Sequence, residues 1–333
     1  MKPNIAFLTG GYSGEAQISY LSAATILRHL SPDSYTIFAI DITREGWFYL
    51  PDGKNRTTIE IDKNDFSLNL PDGKIKFDLA FIGIHGSPGE DGRLQGYFDM
   101  LGIAYTGCNH ATSALTFNKR YTVGVAAMSG IKVARSVLLF SYNDYDVTAI
   151  SKELRYPLFV KPNNGGSSIG MSKIFDPSEL QTAIDKAFGE DNQVLIEEYI
   201  EGRELTIGVF RHKGQIITLP MTEIMAKNTF FDFEAKYKGE SEEITPAAVS
   251  DEVANQIRAT AAKLYQIFDC AGVIRIDFIF HKIEKIPYLL EINTVPGQTE
   301  ASLVPQQLHA MGWTLERFYA AIIEETLRSR FLV

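Results

Sequence analysis

The first apolar run, residues 4–9 (Asn-Ile-Ala-Phe-Leu-Thr), is short and continuous and predicts a buried strand. After the glycine-rich segment 10–14 the pattern changes. Ile18, Leu21, Ala24, Leu27 and Leu30 recur at the three-to-four spacing of a helix face. Residues 35–41 and 78–84 read as further strands, the second ending at His85. Between them, Pro-Asp-Gly turns at 51–53 and 71–73 bracket short β segments. Strands alternating with helices predict an open parallel α/β sheet, a form that binds ligands beyond the carboxyl ends of its strands.

From residue 106 the texture shifts. The pattern predicts a helix over 118–128, a strand over 158–161, a Gly/Ser-rich loop over 163–170, a helix over 178–188 and a strand over 194–199. Strands at 204–210 and 215–221 lead into a polar stretch, 226–245, which has no periodicity and reads as a long functional loop. A helix over 251–268, strands over 273–280 and 288–292, and two closing helices complete the chain. These changes divide it into three expected domains, 1–107, 108–198 and 199–333.

Composition refines this only at the margins. A chain of 333 residues suits two or three compact domains, and 45% hydrophobic with 22% charged residues is ordinary globular composition. The formal net charge of −9 argues against a broad nucleic-acid surface, so an anionic ligand needs a local cluster of cations or a bound metal. No run approaches the about 20 apolar residues of a membrane span, and residues 5–8 are too short for a secretory signal. Cys108 and Cys270 cannot build a disulfide framework. The expectation is a cytoplasmic protein with neither nucleic-acid nor membrane partners.

Four constellations carry chemistry. Arg275 and Asp277 alternate on one strand and Glu291 and Asn293 on the next, so each pair shares a face. Asp277, Glu291 and Asn293 would then form an oxygen-rich patch among apolar neighbours, suited to magnesium; the plainer alternative is a solvated sheet face. Lys161 ends a strand and opens the loop Asn163 to Gly170, which is either a flexible turn or a phosphate cradle of N–H groups, hydroxyls and a cation. It is not a Walker loop, because the Gly-Lys-Ser/Thr ending is missing. Glu197, Glu198 and Ile200, with Glu204 close behind, form either an edge strand with exposed glutamates or a hinge for adenine and ribose. The segment His85-Gly-Ser-Pro-Gly-Glu-Asp-Gly92 puts a histidine and three glycines at a strand end, where open sheets bind ligands.

Taken together, these segments resemble the D-alanine–D-alanine ligases of the ATP-grasp superfamily. The resemblance runs almost end to end. It includes Gly10-Gly-Tyr-Ser-Gly-Glu15, His85 to Gly92, Leu94-Gln-Gly96, Tyr105-Thr-Gly107, Lys119, Val160-Lys-Pro162 and Gly166-Ser-Ser-Ile-Gly-Met171. It continues through Phe233-Glu-Ala-Lys-Tyr237, Arg275-Ile-Asp277 and Leu290-Glu-Ile-Asn-Thr-Val-Pro-Gly297. It implies a three-domain ATP-grasp architecture, with ATP as co-substrate between the central and C-terminal domains and an N-terminal parallel α/β domain. It also implies a homodimer and two divalent ions, magnesium or manganese. The implied reaction joins two D-alanines for peptidoglycan through an acyl phosphate; the alternative is a second substrate such as D-serine or D-lactate.

The resemblance implies roles position by position. Glu15 and His85 match residues at the first D-alanine, and Ser302 and Leu303 match the second subsite. Lys119, Lys161 and Lys236 match phosphate contacts; Glu197, Glu198 and Ile200 match the adenine hinge, and Glu204 the ribose contact. Asp277, Glu291 and Asn293 match the metal ligands, and Arg275 and the Gly297 N–H match oxyanion stabilisers. Tyr237, Ser167 and Glu15 match a triad joining the three domains, and 226–245 matches a lid, the ω-loop. The chain departs from the pattern at Phe231 and Phe233, where tyrosines are expected, at Cys108, where serine is common, and at Gln298 to Ser302. That last segment puts Glu300 near the second subsite.

Overall fold

In this computed structural model, residues 2–166, 169–226 and 241–329 are described. Residues 227–240, where the lid is expected, with Phe231, Phe233, Lys236 and Tyr237, and also Ser167, lie outside the described residues.

The N-terminal unit runs β1 (Asn4–Gly10), α1 (Ala16–His29), β2 (Thr36–Ile42), β3 (Trp47–Leu50), β4 (Ile61–Asp62), β5 (Ser67–Leu70), β6 (Gly73–Ile75), β7 (Leu79–Ile82), α2 (Arg93–Leu101) and β8 (Ala104–Tyr105). Its sheet has the order β3-β2-β1-β7-β8 and is parallel except at the β3 edge. β1 and β7 are buried on both faces, as their continuous apolar runs require. In α1 the helix is where the periodicity places it, but the inward face differs. Ser19, Ser22, Ala23, Thr25, Ile26 and Leu30 are buried, and Leu21 is 62% exposed. Near its N-terminus the helix packs against backbone and His85, so small hydroxyl side chains fit there.

Next come α3 (His110–Phe117), α4 (Lys119–Met128), β9 (Lys132–Val133), β10 (Ser136–Phe140), α5 (Val147–Glu153), β11 (Leu158–Pro162), β12 (Ser172–Ile174), α6 (Leu180–Phe188) and β13 (Gln193–Glu198). Asn118 breaks the helical path between α3 and α4, and its side chain accepts from the Tyr121 N–H at 3.0 Å, which starts α4 and fixes Lys119 in its first turn. An antiparallel sheet of order β10-β13-β11-β12 packs on α5 and α6 through Leu158, Val160, Ile184 and Ile196.

The last unit contains β14 (Gly202–His212), β15 (Gln215–Thr218), β16 (Thr222–Ala226), β17 (Ser241–Ile244), α7 (Asp251–Ile267), β18 (Val273–His281), β19 (Pro287–Asn293), α8 (Leu303–Ala310) and α9 (Leu315–Ser329). Its sheet has the order β17-β16-β14-β18-β19-β9, with β15 beside β14. The stretch 226–245, expected as loop throughout, begins and ends in paired strands, since Ala226 faces Ser241 across the β16–β17 ladder. Charged Glu223, Glu242 and Glu243 obscure the alternation there. Ile274, Ile276, Phe278 and Phe280 turn inward from β18 onto α7.

The hydrophobic cores do not follow the sequence blocks 1–107, 108–198 and 199–333. Cys108, Ala126 and Ile131 share a core with the C-terminal sheet, and β9 adds to it as a parallel edge strand. Conversely, Val304, Leu308, Leu315, Phe318 and Ile322 of α8 and α9 pack with Ile5, Phe7 and Phe81 of the N-terminal sheet. Among the described residues, no helix is long and apolar enough to cross a membrane. This shared core predicts that Phe318→Ala, at a site 1% exposed, lowers stability by about 3–5 kcal/mol. Native-state hydrogen exchange should show β1 and α9 losing protection together, whereas loss confined to α9 would contradict a common core.

Candidate active site

Between the central sheet and the C-terminal sheet lies a cleft of about 650 Å³. Lys119, Lys161, Glu197 and Glu198 line one wall, Glu204, Arg275, Asp277 and Glu291 the other, and Ile200 the connection between them. Glu15 and Leu303 reach its end from the N-terminal unit and from α8.

The C-terminal wall depends on the β18–β19 register. Arg275 stands opposite Asn293 and Asp277 opposite Glu291, so the four positions read from the sequence form one patch. The register then slips, Phe278 pairing with Leu289, which leaves Leu290 as the extra residue of a bulge. Leu289 and Ile292 therefore both turn to the core, and Leu290 and Glu291 both line the cleft. Arg275 donates to both Asp277 oxygens at 2.9 and 2.7 Å and lies 3.6 Å from Glu291. Burial disfavours its charge, but Asp277, Glu291 and Glu90 outweigh that and hold the guanidinium above its ordinary value. Thr206 donates to Asp277 from β14, and the Asn293 side-chain oxygen accepts the Val295 N–H at 3.0 Å.

These residues fit a hard divalent cation by the chemistry of their donors. Asp277, Glu291 and Asn293 offer only oxygens. Among the described residues no three of His, Cys, Asp or Glu gather at one point, so the set is two carboxylates and an amide. Magnesium accepts such an incomplete protein shell and fills the rest with water and phosphate oxygens.

The facing wall carries the cations. Lys161 on β11 and Glu197 on β13 are diagonal neighbours and form an ion pair with both side chains nearly buried. Lys119 donates to the Gly165 carbonyl at 2.5 Å, and its ammonium lies 3.9 Å from Glu291 across the cleft. Burial lowers its pKa against the opposing pull of Glu291. In Glu198, Arg155 grips the carboxylate with three donors at 2.8 to 3.1 Å. Burial would raise that carboxyl, but the Arg155 bonds prevail and hold it below the usual range.

At the far end, Glu15 sits between two glycines. A Cβ on Gly166 would lie 2.6 Å from one Glu15 oxygen, and one on Gly86, whose φ is +67°, 2.7 Å from the other. The carboxylate thus touches the N-terminal and central loops at once. Glu90, inside the His85 motif but given no role from sequence, accepts the Gly86 N–H at 2.6 Å and the Val295 N–H at 3.3 Å. It keeps some solvent contact, yet the crowding of protein around it and the nearby Glu15 charge push its carboxyl up to about 8. His85 is buried beside Ser22, and that burial lowers its imidazole to about 4. Ser22 lies off the apolar face that the α1 periodicity predicts, so nothing in the spacing points to it.

The turn after Asn293 places the remaining predicted residues. Ser302 precedes α8, and its hydroxyl bonds to Thr299 Oγ1 at 2.7 Å and accepts the Thr299 N–H. A Cβ on Gly297 would come within 2.9 Å of that hydroxyl. Glu300, expected near the second subsite, pairs with Arg28 of α1 at 2.6 Å and is 58% exposed. Cys108 is buried, with its thiol directed at the Ala271 carbonyl.

Comparison with known proteins agrees with this geometry. Residues 4–108 match the family model "D-ala D-ala ligase N-terminus" and residues 124–324 match "D-ala D-ala ligase C-terminus". The D-alanine–D-alanine ligase of Flavobacterium johnsoniae is 44% identical over 97% of this chain and 99% of its own length. That of Parabacteroides distasonis is 43% identical over 99% of both. Among solved structures, the D-alanine–D-alanine ligase from Coxiella burnetii superposes with a TM-score of 0.86 at 26% identity, covering 99% of this chain and 95% of that one. The VanG D-Ala:D-Ser ligase from Enterococcus faecalis gives 0.85 at 30% identity, covering 97% and 99%. The Bacillus anthracis D-alanine–D-alanine ligase complexed with ATP gives 0.78 at 28% identity, covering 99% of each chain. With both family models in order along it and full-length relatives above 40% identity, the chain belongs to the D-alanine–D-alanine ligase family.

Proposed function

We propose that this protein joins two D-alanines to D-alanyl-D-alanine, cleaving ATP to ADP and phosphate. The observation that carries the reading is the cleft itself. Lys119 and Lys161 on one wall face Asp277, Glu291 and Arg275 on the other, in a member of this ligase family. ATP enters between the sheets, with adenine at the hinge 197–200, ribose at Glu204 and phosphates toward Lys119 and Lys161. Because Arg155 holds the Glu198 side chain, Glu198 serves adenine through its backbone. Lys236 would join the phosphate contacts from the lid. Asp277, Glu291 and Asn293 would hold magnesium or manganese, which supplies charge neutralisation among phosphate oxygens.

The first D-alanine lies by Glu15 and His85. Glu15 meets its ammonium, and the neutral His85 adds no cation there. Its carboxylate oxygen attacks the γ-phosphorus, forming the acyl phosphate as ADP leaves. The amine of the second D-alanine, once deprotonated, attacks that carbonyl, and the tetrahedral intermediate expels inorganic phosphate as the amide forms. Arg275 and the Gly297 N–H stabilise the tetrahedral oxyanion, a task suited to fixed donors in a site with little water. Ser302, Leu303 and the N-terminal N–H groups of α8 receive the second carboxylate. The lid over 226–245, preceded by Met225 and containing Glu243, both of which border the cleft, would carry Tyr237 toward Ser167 and Glu15 and exclude water from the acyl phosphate. The same reading places the enzyme in the cytoplasm as a homodimer, with domains bounded near residues 107 and 198.

The direct test is product identity. D-alanine with ATP and magnesium should give phosphate and D-alanyl-D-alanine by mass, while added D-serine or D-lactate contributes little mixed product. Absence of the dipeptide would overturn the reading. Asp277→Asn should lower kcat about 100-fold with the fold retained; unchanged turnover at limiting magnesium would remove Asp277 from the metal set. Glu90 supplies a pH test. Its carboxyl is raised from 4.5 to about 8 in the folded state, so the folded protein binds the extra proton between those values. The stability this proton contributes is full below about pH 4.5 and is lost as pH rises through about 8. Urea unfolding of wild type and Glu90→Gln should therefore show the variant gaining relative stability between pH 5 and 8. A constant difference would mean that Glu90 is an ordinary carboxylate.

A further inference from the structure

Behind His85 a chain of hydrogen bonds crosses three segments that no catalytic step uses. Tyr319 on α9 donates to the Gln298 side-chain oxygen at 3.1 Å, and the Gln298 amide nitrogen donates to the Pro296 carbonyl at 3.0 Å. The Gln298 backbone N–H donates to Ser22 Oγ at 3.2 Å, and Ser22 Oγ lies 3.0 Å from His85 Nε2. One turn earlier on α1, Ser19 Oγ accepts the His85 backbone N–H at 3.0 Å. Exposure is 0% at Ser19, 1% at Ser22, 5% at His85, 6% at Gln298 and 1% at Tyr319. No bulk water can replace a bond lost there.

The directions of these bonds follow from the donors available. Tyr319 keeps its proton, since burial raises its pKa, and so it donates. The Gln298 amide then has its oxygen toward Tyr319 and its nitrogen toward Pro296, an orientation assigned by both neighbours. Among the described residues Ser22 Oγ bonds to the Gln298 N–H, which it accepts, and to His85 Nε2, to which its own hydrogen is therefore assigned. The Val295 backbone nearby favours the proton on the ring. With Nε2 accepting from Ser22, the neutral His85 ring carries its proton on Nδ1, and Ser22 ties it to the turn that carries Gly297.

We propose that Ser22, Gln298 and Tyr319 are positioning residues, a buried relay that fixes the His85 tautomer and seats the 294–298 turn against it. Gln298 is one of the places where the chain departs from the family pattern, and Tyr319 is its partner. The relay couples the first-substrate histidine to the Gly297 N–H, so both move together or not at all. The assignment of His85 to substrate rests on the ligase reading; the tautomer and the relay do not.

Two measurements test it. Long-range proton–nitrogen correlation spectra of histidine-labelled protein at pH 7 should show His85 protonated at Nδ1. In Ser22→Ala the His85 ring nitrogen shifts should move toward a tautomer mixture. An Nε2-protonated ring in the wild type, or shifts unmoved by Ser22→Ala, would overturn the relay whatever the enzyme makes. In kinetics, Ser22→Ala and Tyr319→Phe should each raise KM for D-alanine about fivefold, with KM for ATP changed less than about twofold. Combining Tyr319→Phe with Gln298→Met should add little to either single change. Ser22→Thr keeps the hydroxyl beside a cavity of about 40 Å³ and should restore the D-alanine KM. Variants that make dipeptide with unchanged KM would overturn the positioning role. A wild type that makes no dipeptide would overturn the ligase reading and leave the tautomer measurement to decide the relay.

Discussion

Arg275 is a buried cation held among Asp277, Glu291 and Glu90, and the active cleft depends on it. Asp277 takes two of its hydrogen bonds, Glu291 lies 3.6 Å away, and Glu90 contributes from the N-terminal unit. Removing charge from such a place strands its partners, because a buried unpaired carboxylate costs far more than a solvated one. The pair is better understood as a geometric constraint than as a source of stability. It holds two potential metal ligands in register with Asn293 while leaving oxygen lone pairs for a cation and its phosphates. The bulge at Leu290 matters for the same reason, since regular alternation would have kept Leu290 out of the cleft.

That wall works only against a second one, and the structure ties the walls together by exchanging core residues. α3, α4 and β9 precede the central sheet in sequence but pack on the C-terminal sheet. Lys119, at the start of α4, is thereby held near Glu291 while reaching the Gly165 carbonyl of the central loop. α8 and α9 come last in sequence yet complete the core of the N-terminal sheet. The turn 294–298 is in this way anchored beside His85 and Ser22. Each part of the site is supported by packing that originates elsewhere in the chain.

The sequence revealed the framework where local pattern and tertiary burial agree. β1, β7, β11 and β18 are apolar runs buried where such runs must be, and the Asp277, Glu291 and Asn293 patch followed from strand alternation alone. The ligand roles needed the joint order of many short motifs. Three features were hidden for physical reasons. The buried face of α1 is made partly of serine and threonine, because it meets polar partners, and apolar periodicity therefore pointed to Leu21. Glu198 lines the cleft, but no local pattern connects its carboxylate with Arg155, 43 positions earlier, which holds it. Glu90 and Gln298 act through long-range neighbours such as Val295 and Tyr319, which no spacing rule connects.

The claim on which the mechanism stands is that the D-alanine carboxylate attacks phosphorus before any amide forms. It is tested most directly with D-alanine carrying oxygen-18 in its carboxylate. If an acyl phosphate forms, the attacking oxygen leaves with phosphorus, and each dipeptide made releases one phosphate containing one oxygen-18 atom. Phosphate free of the label while D-alanyl-D-alanine accumulates would contradict the account.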